Sequence, residues 1–398
     1  MPVTLHGDLQ FMRMEKLEVS LGVALDALEG ENLRRNLRVI REISGTRINV
    51  EGRDLTNFSS NDYLGLAGHP LIAEAMSEAA ARWGVGSTAS RLICGTTTEH
   101  SALEDEIAAA KGTEASLLFS TGFAAALGTI PSLVGKGDIV ILDKLAHACL
   151  IDGARTSGAA LRVFPHNNLD RLESHLRWAR DKHPSRRVMI VTESIFSMDG
   201  DQAPLREIVE LKDRYGAILF LDEAHAVGVR GCGAGGLAGE LGLSKQIEIQ
   251  MGTLGKALGV SGGYVAGPRM LTDFLINRAR SFVFSTAPSP AVAAACRAAL
   301  RIVQSPEGDA LRTRLRENLL LLTAALKLHP PAGAIVSLVL GNEKTALAAA
   351  EGLLESGFFV PAIRYPTVPR NTARLRITLS AGHAAEEIRK LTETLLVP

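Results

Sequence analysis

Four consecutive apolar residues lead into a charged turn in Ile218-Leu219-Phe220-Leu221-Asp222-Glu223-Ala224-His225. Helical patterns separate similar apolar runs at residues 116–119, 139–142, 188–191 and 247–250. Continuous apolar strands that alternate with helices are typical of a mostly parallel sheet covered on both faces. The sequence therefore predicts a large α/β domain over residues 58–290.

Two further segments flank this region. Residues 1–57 combine a helical repeat of leucines with an extended stretch at residues 47–50 that predicts a hairpin; the leucines are Leu17, Leu21, Leu25 and Leu28. Residues 291–398 follow Pro288 and Pro290, and strand patterns alternate there with helical ones at 335–340, 343–356, 373–379 and 384–396. This pattern predicts a smaller α+β C-terminal domain.

Composition excludes several classes of partner. The chain of 398 residues is 46% hydrophobic, which is enough for a sizeable core. Its 43 basic and 43 acidic residues give no net charge for binding nucleic acid or an anionic membrane. No apolar run is long enough to span a bilayer, and no secretory signal is recognisable. Four scattered cysteines without a CxxC motif predict reduced thiols, a cytoplasmic location and no metal site.

Lys256 lies in the glycine-rich turn Leu254-Gly255-Lys256-Ala257-Leu258-Gly259, whereas Asp222 ends another strand. A lone lysine in such a turn is ordinarily a solvated loop residue. In parallel sheets, however, ligands bind at the carboxyl ends of the strands, so the two side chains are expected to meet. A lysine amine forms a Schiff base with pyridoxal phosphate (PLP), and an aspartate keeps the pyridine nitrogen protonated. The pair predicts a PLP site.

Other segments supply candidate contacts to this cofactor. Gly122 joins a strand to a helix, where backbone N–H groups and the helix N-terminus suit a phosphate. The flat imidazole of His147 can stack on a pyridine ring, and a partly buried structural histidine is an equal alternative. Ser197, in Phe196-Ser197-Met198-Asp199-Gly200-Asp201, has a suitable hydroxyl, although an ordinary turn is the better local interpretation.

Arg374 and Arg376 alternate along a predicted strand and therefore share one face. A guanidinium group matches the carboxylate of an amino-acid substrate in a bidentate geometry. The alternative is a solvated strand face.

In this order and spacing, the motifs resemble the α-oxoamine synthases, a family of fold type I PLP-dependent transferases, over nearly the whole chain. The resemblance is carried by residues 57–66, His147, and residues 196–201, 222–225, 253–256 and 374–377. It implies an α/β fold with a large, mostly parallel sheet domain and a smaller C-terminal domain.

The resemblance also implies a role for each matching residue. Lys256 would be the Schiff-base and proton-transfer lysine, Asp222 the partner of the pyridinium nitrogen, and His147 the residue stacked on the ring. Further cofactor contacts would come from His225, Ser197, Gly122, Phe123 and Thr253, and from Ser285 or Thr286 across a homodimer interface. The amino acid would be bound by Arg376 with Asn61 nearby, and the acyl thioester by Arg34 and Thr367.

The implied reaction is a decarboxylative condensation of an amino acid with an acyl-CoA or acyl-carrier thioester, which gives an α-amino ketone, CoA and carbon dioxide. Residues 259–263 and 362–369 are most similar to members that join L-alanine to a pimeloyl thioester, forming 8-amino-7-oxononanoate in biotin biosynthesis. Residues 90–96 are more similar to members that join glycine to acetyl-CoA. An aminotransferase is disfavoured by residues 57–66 and 196–201, and a silent subunit by the presence of Lys256.

Overall fold

The computed structural model describes residues 5–396, with side chains from residue 16 onward. Residues 1–4 and 397–398, which belong to the first and last predicted segments, lie outside the described residues. The helices are α1 Leu5–Gly30, α2 Pro70–Trp83, α3 Thr98–Lys111, α4 Gly122–Leu133, α5 Ala148–Ser157, α6 Leu169–Lys182, α7 Leu205–Tyr215, α8 Gly236–Glu240, α9 Arg269–Arg278, α10 Arg280–Val283, α11 Pro290–Val303, α12 Pro306–Ala325, α13 Glu343–Glu355 and α14 Ala385–Leu396. The strands are β1 Ile40–Ser44, β2 Arg47–Val50, β3 Arg53–Asn57, β4 Ala115–Phe119, β5 Ile139–Asp143, β6 Ala160–Phe164, β7 Val188–Glu193, β8 Ile218–Asp222, β9 Ile249–Thr253, β10 Gly263–Gly267, β11 Ile335–Gly341, β12 Phe358–Phe359, β13 Ala362–Ile363 and β14 Ala373–Thr378.

Internal contacts divide the chain into two compact units. The larger unit comprises residues 44–46, 58–336 and 378–398, and the smaller unit comprises residues 1–43, 47–57 and 337–377. Helix α11 packs against α2 and α3, which explains why the segment after residue 290 groups with the larger unit. The three-part division at residues 57 and 290 stays a prediction about domains.

The larger unit contains a seven-stranded sheet in the order β4-β10-β9-β8-β7-β5-β6. Neighbouring strands from β9 to β6 are parallel, whereas β10 is antiparallel to both β9 and β4. Two reversals make β4 parallel to β9 again, so a single strand runs against the others. The predicted mostly parallel sheet is confirmed.

Apolar side chains cover both faces of this sheet. Ile139 and Ile141 of β5 belong to one buried cluster, and Val140 and Leu142 belong to another. Successive side chains of a strand point to opposite faces, so each run must be apolar throughout when helices cover both faces. This requirement is the reason that the strands appear in the sequence as unbroken apolar runs.

The parallel strands end at one edge of the sheet, and several of them end in a polar residue. Strands β5, β7, β8 and β9 finish at Asp143, Glu193, Asp222 and Thr253. Gly263 begins β10 at the same edge, opposite both Thr253 and the last residue of β4. The edge therefore gathers polar groups that are far apart in the sequence.

The smaller unit contains the four-stranded sheet β1-β2-β3-β12, and most of the three-stranded sheet β11-β14-β13 lies in it. Strands β2 and β3 form a hairpin, which confirms that prediction, and Ile48, Val50 and Leu55 pack against Leu354 of α13. Helix α1 is also present, but its four repeating leucines are 41–54% exposed among the residues that the structure describes. None of the helices within residues 5–396 has the length and apolar character that crossing a bilayer requires.

Candidate active site

Asp222 is a buried carboxylate at the end of the central strand β8. Its Oδ1 accepts the N–H of Ala224 at 2.8 Å, and its main-chain carbonyl accepts the N–H of Ser194 at 2.8 Å. Burial raises the pKa of Asp222, while the positive charge of Lys256 and the bond from Ala224 lower it. The aspartate is therefore fixed in place and depends on nearby positive charge to remain ionised.

Lys256 lies in a tight turn that follows β9. The turn is closed by the N–H of Gly259, which donates to the carbonyl of Lys256 at 2.8 Å. Gly259 has a φ of +70°, and a Cβ there would lie 2.4 Å from the backbone nitrogen of Ala67, so only glycine fits. The Nζ of Lys256 donates to the Oγ1 of Thr253 at 3.5 Å, which directs the amine back towards the sheet edge.

Glu193, which the sequence analysis did not identify, ends β7 beside Asp222. Its Oε1 accepts the backbone N–H of His147 at 2.7 Å. Burial raises the pKa of Glu193 well above its ordinary value, and the charge of Asp222 adds to this effect. The signal that would have revealed it is the one that revealed Asp222: a charged residue directly after a buried apolar run.

His147 caps the N-terminus of α5, and its Nδ1 accepts the N–H of Cys149 at 3.2 Å. The ring keeps an accessible surface, yet the protein atoms around it lower the pKa of His147. The charges of Asp222 and Lys256 also act on this imidazole, in opposite directions. The structure thus brings three of the predicted catalytic residues into one electrostatically coupled group.

Tyr63 connects two predicted residues, His225 and Asn61. Its hydroxyl lies 2.6 Å from the Nδ1 of His225 and donates to the Oδ1 of Asn61 at 3.2 Å. Because one hydroxyl makes both contacts, Tyr63 fixes the ring of His225 and the side chain of Asn61 relative to each other. Tyr63 is fully buried, and sequence reasoning missed it because its partner is 162 residues away.

The N-terminus of α4 approaches the end of β9 very closely. A Cβ on Gly122 would lie 2.4 Å from the Cγ2 of Thr253, so a larger residue would force the two elements apart. The side chain of Thr121 caps the helix by accepting the N–H of Ala124 at 3.0 Å. Phe123 follows in the first turn and is partly exposed. Helix N–H groups beside a threonine hydroxyl form a chemically suitable site for a phosphate.

Ser197 is buried in a turn that the N–H of Gly200 closes by donating to the carbonyl of Phe196 at 2.9 Å. His166 fixes this turn, because its Nδ1 lies 3.0 Å from the Oδ1 of Asp143 and its Nε2 lies 2.7 Å from the Oδ2 of Asp201. The imidazole therefore links the turn to the end of β5. No local pattern in the sequence indicates this bridge.

Glu223 follows Asp222 in the sequence, but its carboxylate binds a different set of groups. Its Oε2 accepts from the buried amine of Lys111, and its Oε1 accepts the N–H of Ala238 at 3.0 Å. Lys111 also donates to the carbonyl of Gly235 at 2.7 Å. Removing one partner of a buried ion pair costs about 3–5 kcal/mol of stability. The pair formed by Lys111 and Glu223 therefore stabilises the main chain next to Asp222.

Ser285 and Thr286 lie in a segment that follows α10. Thr286 pairs with Ser90 in an isolated bridge, and the N–H of Ala287 donates to the carbonyl of Ala89 at 2.9 Å. Thr286 is exposed and Ser285 is half-buried. Their predicted contact with a phosphate bound to another subunit stays a prediction.

The predicted substrate residues of the smaller unit fall into two groups. Arg376 and Arg374 of β14 are both buried, which excludes the solvated strand face as an explanation for them. Thr367 accepts from Arg35 at 3.4 Å, and Arg35 lines a cavity of about 770 Å³ together with Arg34.

This cavity is rich in positive charge. Five arginines and three glutamates line it: Arg34, Arg35, Arg38, Arg53, Arg364, Glu29, Glu51 and Glu351. Burial and the charge of Arg35 lower the pKa of Arg364, so its guanidinium is poorly neutralised by the surrounding groups. The excess of positive charge favours an anionic ligand.

Comparison with known proteins identifies the family. Residues 53–395 match the model of the aminotransferase class I and II family. The chain belongs to this family. An 8-amino-7-oxononanoate synthase from Geobacter sulfurreducens is 46% identical over 379 residues, covering 93% of this chain and 95% of that protein.

Solved structures of the family agree with the fold. A serine palmitoyltransferase from S. paucimobilis with a bound PLP–myriocin aldimine has a TM-score of 0.88 at 28% identity, covering 94% of this chain and 95% of that one. The 8-amino-7-oxononanoate synthase from Francisella tularensis has a TM-score of 0.73 at 27% identity, covering 86% and 96%. The resemblance to α-oxoamine synthases and the fold type I transferase architecture are confirmed.

The bridge made by His166 predicts a specific dependence of stability on pH. Burial opposes protonation of this imidazole, but its hydrogen bonds to Asp143 and Asp201 prevail and raise its pKa from 6.5 to about 10. Because the pKa of His166 is higher in the folded state than in the unfolded state, its protonation stabilises the folded protein. This contribution is fully present below pH 6.5 and is lost as the pH rises towards 10. The Tm difference between the wild type and His166→Gln should therefore be large at pH 6 and narrow steadily towards pH 10.

The measurement is a series of thermal melts of both proteins between pH 6 and 10. Other groups that titrate at alkaline pH affect the wild type and the variant equally, so they cancel in the Tm difference. The exposed His329, replaced by Gln, provides the control, and its difference from wild type should be small at every pH. A His166→Gln difference that stays constant from pH 6 to 10 would show that the bridge is not charged.

Proposed function

We propose that this protein catalyses the PLP-dependent condensation of L-alanine with a pimeloyl thioester, which forms 8-amino-7-oxononanoate for biotin synthesis. The main support is the 46% identity to an 8-amino-7-oxononanoate synthase over 93% of this chain. The buried Asp222 and the amine of Lys256 at one sheet edge supply the groups that this chemistry needs.

The described residues fit PLP. When bound, PLP supplies an aldehyde for a lysine and a ring that withdraws electrons from the substrate α-carbon. Asp222, which needs positive charge beside it, would pair with the protonated ring nitrogen. The N–H groups at Gly122 and Phe123, together with the Thr253 hydroxyl, would hold the phosphate. His147 would lie on the ring face, and His225 and Ser197 would bond the ring hydroxyl.

Lys256 would act twice. Its amine would hold the cofactor before the amino acid binds, and it would then remove the proton from the α-carbon of alanine. The bond between Thr253 and Nζ keeps the amine at the sheet edge during this step.

One proton from solvent balances the remaining bonds. The α-carbon of alanine forms a bond to the thioester carbonyl, and the carbon–sulfur bond breaks to release a thiolate, which takes that proton to become the thiol. The bond to the alanine carboxylate then breaks, carbon dioxide leaves, and Lys256 returns a proton to the same carbon. The products are 8-amino-7-oxononanoate, the thiol and carbon dioxide.

Arg376 and Asn61 would bind the alanine carboxylate, and Arg34 and Thr367 the acyl thioester. The planar guanidinium of Arg376 suits the first role, because it matches a carboxylate in a bidentate geometry. The positive cavity that Arg34 lines supports the second, because the pimeloyl carboxylate and the phosphates of CoA or a carrier arm are all anionic.

Thiol release by the PLP-loaded protein tests the reaction. L-alanine with pimeloyl-CoA should release CoA and form 8-amino-7-oxononanoate, whereas glycine with acetyl-CoA and L-serine with palmitoyl-CoA should be much slower. Lys256→Ala should abolish release because it removes the only proposed base. Lys144→Ala, at an exposed lysine after β5, is the matched control and should retain activity.

Other outcomes would change the assignment. Faster release with glycine and acetyl-CoA would replace the proposed substrates while keeping the roles of Asp222 and Lys256. Undiminished release by Lys256→Ala would contradict the proposed chemistry.

The proposal includes a homodimer in the cytoplasm. Large apolar side chains are 72–85% exposed near the segment of Ser285 and Thr286, namely Val85, Ile93 and Phe284. Exposed apolar groups of this size are typical of a surface that another chain covers. The cytoplasmic location is supported by the four free thiols Cys94, Cys149, Cys232 and Cys296.

Sedimentation velocity tests the dimer. We expect a species of twice 42.4 kDa, and we expect Ile93→Lys to shift it towards the monomer because a charge would be buried in the interface. Met270→Lys provides the control, since Met270 is equally exposed but lies on α9. A monomer at all concentrations, or equal dissociation by both variants, would contradict the dimer.

A further inference from the structure

Glu193 has no part in the roles proposed above, although it lies at the centre of the site. It ends β7 directly opposite Asp222 of β8 in the parallel ladder. Opposing residues on neighbouring strands point their side chains to the same face of a sheet. The sheet edge therefore holds two buried carboxyl groups side by side.

The carboxyl group of Glu193 is connected to His147. Its Oε1 accepts the backbone N–H of His147 at 2.7 Å, at the point where the chain enters α5. The ring of His147 is held from the other side, because its Nδ1 accepts the N–H of Cys149 at 3.2 Å. The two bonds fix the main chain and the imidazole together, so loss of the first would displace the ring.

The charges around Glu193 determine its protonation. Burial, Asp222 and Asp143 of β5 raise its pKa, whereas the N–H of His147 and the charge of Lys256 lower it. Two adjacent buried carboxylates repel each other strongly when both are ionised. A proton on Glu193 removes this repulsion, leaves Oε1 able to accept from His147, and allows Asp222 to keep its negative charge.

We propose that Glu193 is a positioning residue, whose Oε1 holds His147 against the cofactor ring and whose uncharged carboxyl leaves Asp222 as the ionised partner of the ring nitrogen. This inference rests on the proposed PLP site. It does not depend on the identity of the amino acid or of the thioester.

Three substitutions separate the two parts of this role. Glu193→Gln keeps an acceptor oxygen at the same reach and carries no charge. Glu193→Asp keeps the acid but withdraws it from His147 by one methylene. Glu193→Ala removes the acceptor and leaves the N–H of His147 unpaired.

The readouts are the Kd of PLP for the apoprotein, and the absorbance spectrum of the bound cofactor as a function of pH. Glu193→Gln should change the Kd by less than about threefold and leave the spectral titration in place, because its acceptor is retained. Glu193→Ala and Glu193→Asp should raise the Kd by about tenfold or more and alter the spectrum, because a buried donor loses its partner.

Ile190→Val controls for simple loosening of β7, since Ile190 is buried in the same strand. It should lower the Tm without changing the Kd or the spectrum. If Glu193→Gln is as damaging as Glu193→Asp, an ionised Glu193 is required and the proposal is overturned. An unchanged Kd and spectrum in Glu193→Asp would overturn it as well. Neither readout requires turnover, so failure of the condensation assay would be distinguishable.

Discussion

The site depends on keeping the carboxylate of Asp222 ionised although it is buried at the end of β8. Burial alone favours the neutral acid, and Lys256 and the N–H of Ala224 oppose that tendency. The two neighbouring carboxyl groups have hydrogen-bond partners of their own. Glu223 pairs with Lys111, and Glu193 accepts the backbone N–H of His147. Charge is thus distributed so that the carboxylate of Asp222 remains free of these pairings, and we propose that it binds the ring nitrogen of PLP.

The fold provides this arrangement because parallel strands end at a common edge. Strands β7, β8 and β9 bring Glu193, Asp222 and Thr253 together, and the antiparallel β10 returns the chain so that β4 delivers Gly122 to the same place. Helix α4 approaches the end of β9 so closely that position 122 requires glycine, because a Cβ there would clash with Thr253. The apolar runs that form the sheet therefore also determine where the polar residues of the site lie.

The sequence was sufficient to predict those features that depend on residues close together in the chain. Asp222 and Lys256 follow recognisable strands, and the strand pattern predicted the parallel sheet. Strand β10, with glycines at both ends, was missed, and β9 begins at Ile249 rather than at residue 247. Tyr63 and His166 act through partners that are distant in the chain, so no local pattern predicts them. The predicted phosphate contact of Ser285 or Thr286 involves a second subunit, whose position a single sequence does not specify.

The most direct test of this account is to locate the bound cofactor chemically. Borohydride reduction of the PLP-loaded protein, followed by proteolysis and mass spectrometry, reports which lysine carries it. The account predicts a pyridoxyl group on the peptide that contains Lys256 and none on Lys111, whose amine is buried against Glu223. A label on a different lysine, or bound PLP that leaves Lys256 unmodified, would contradict the central claim that Asp222 and Lys256 form one site.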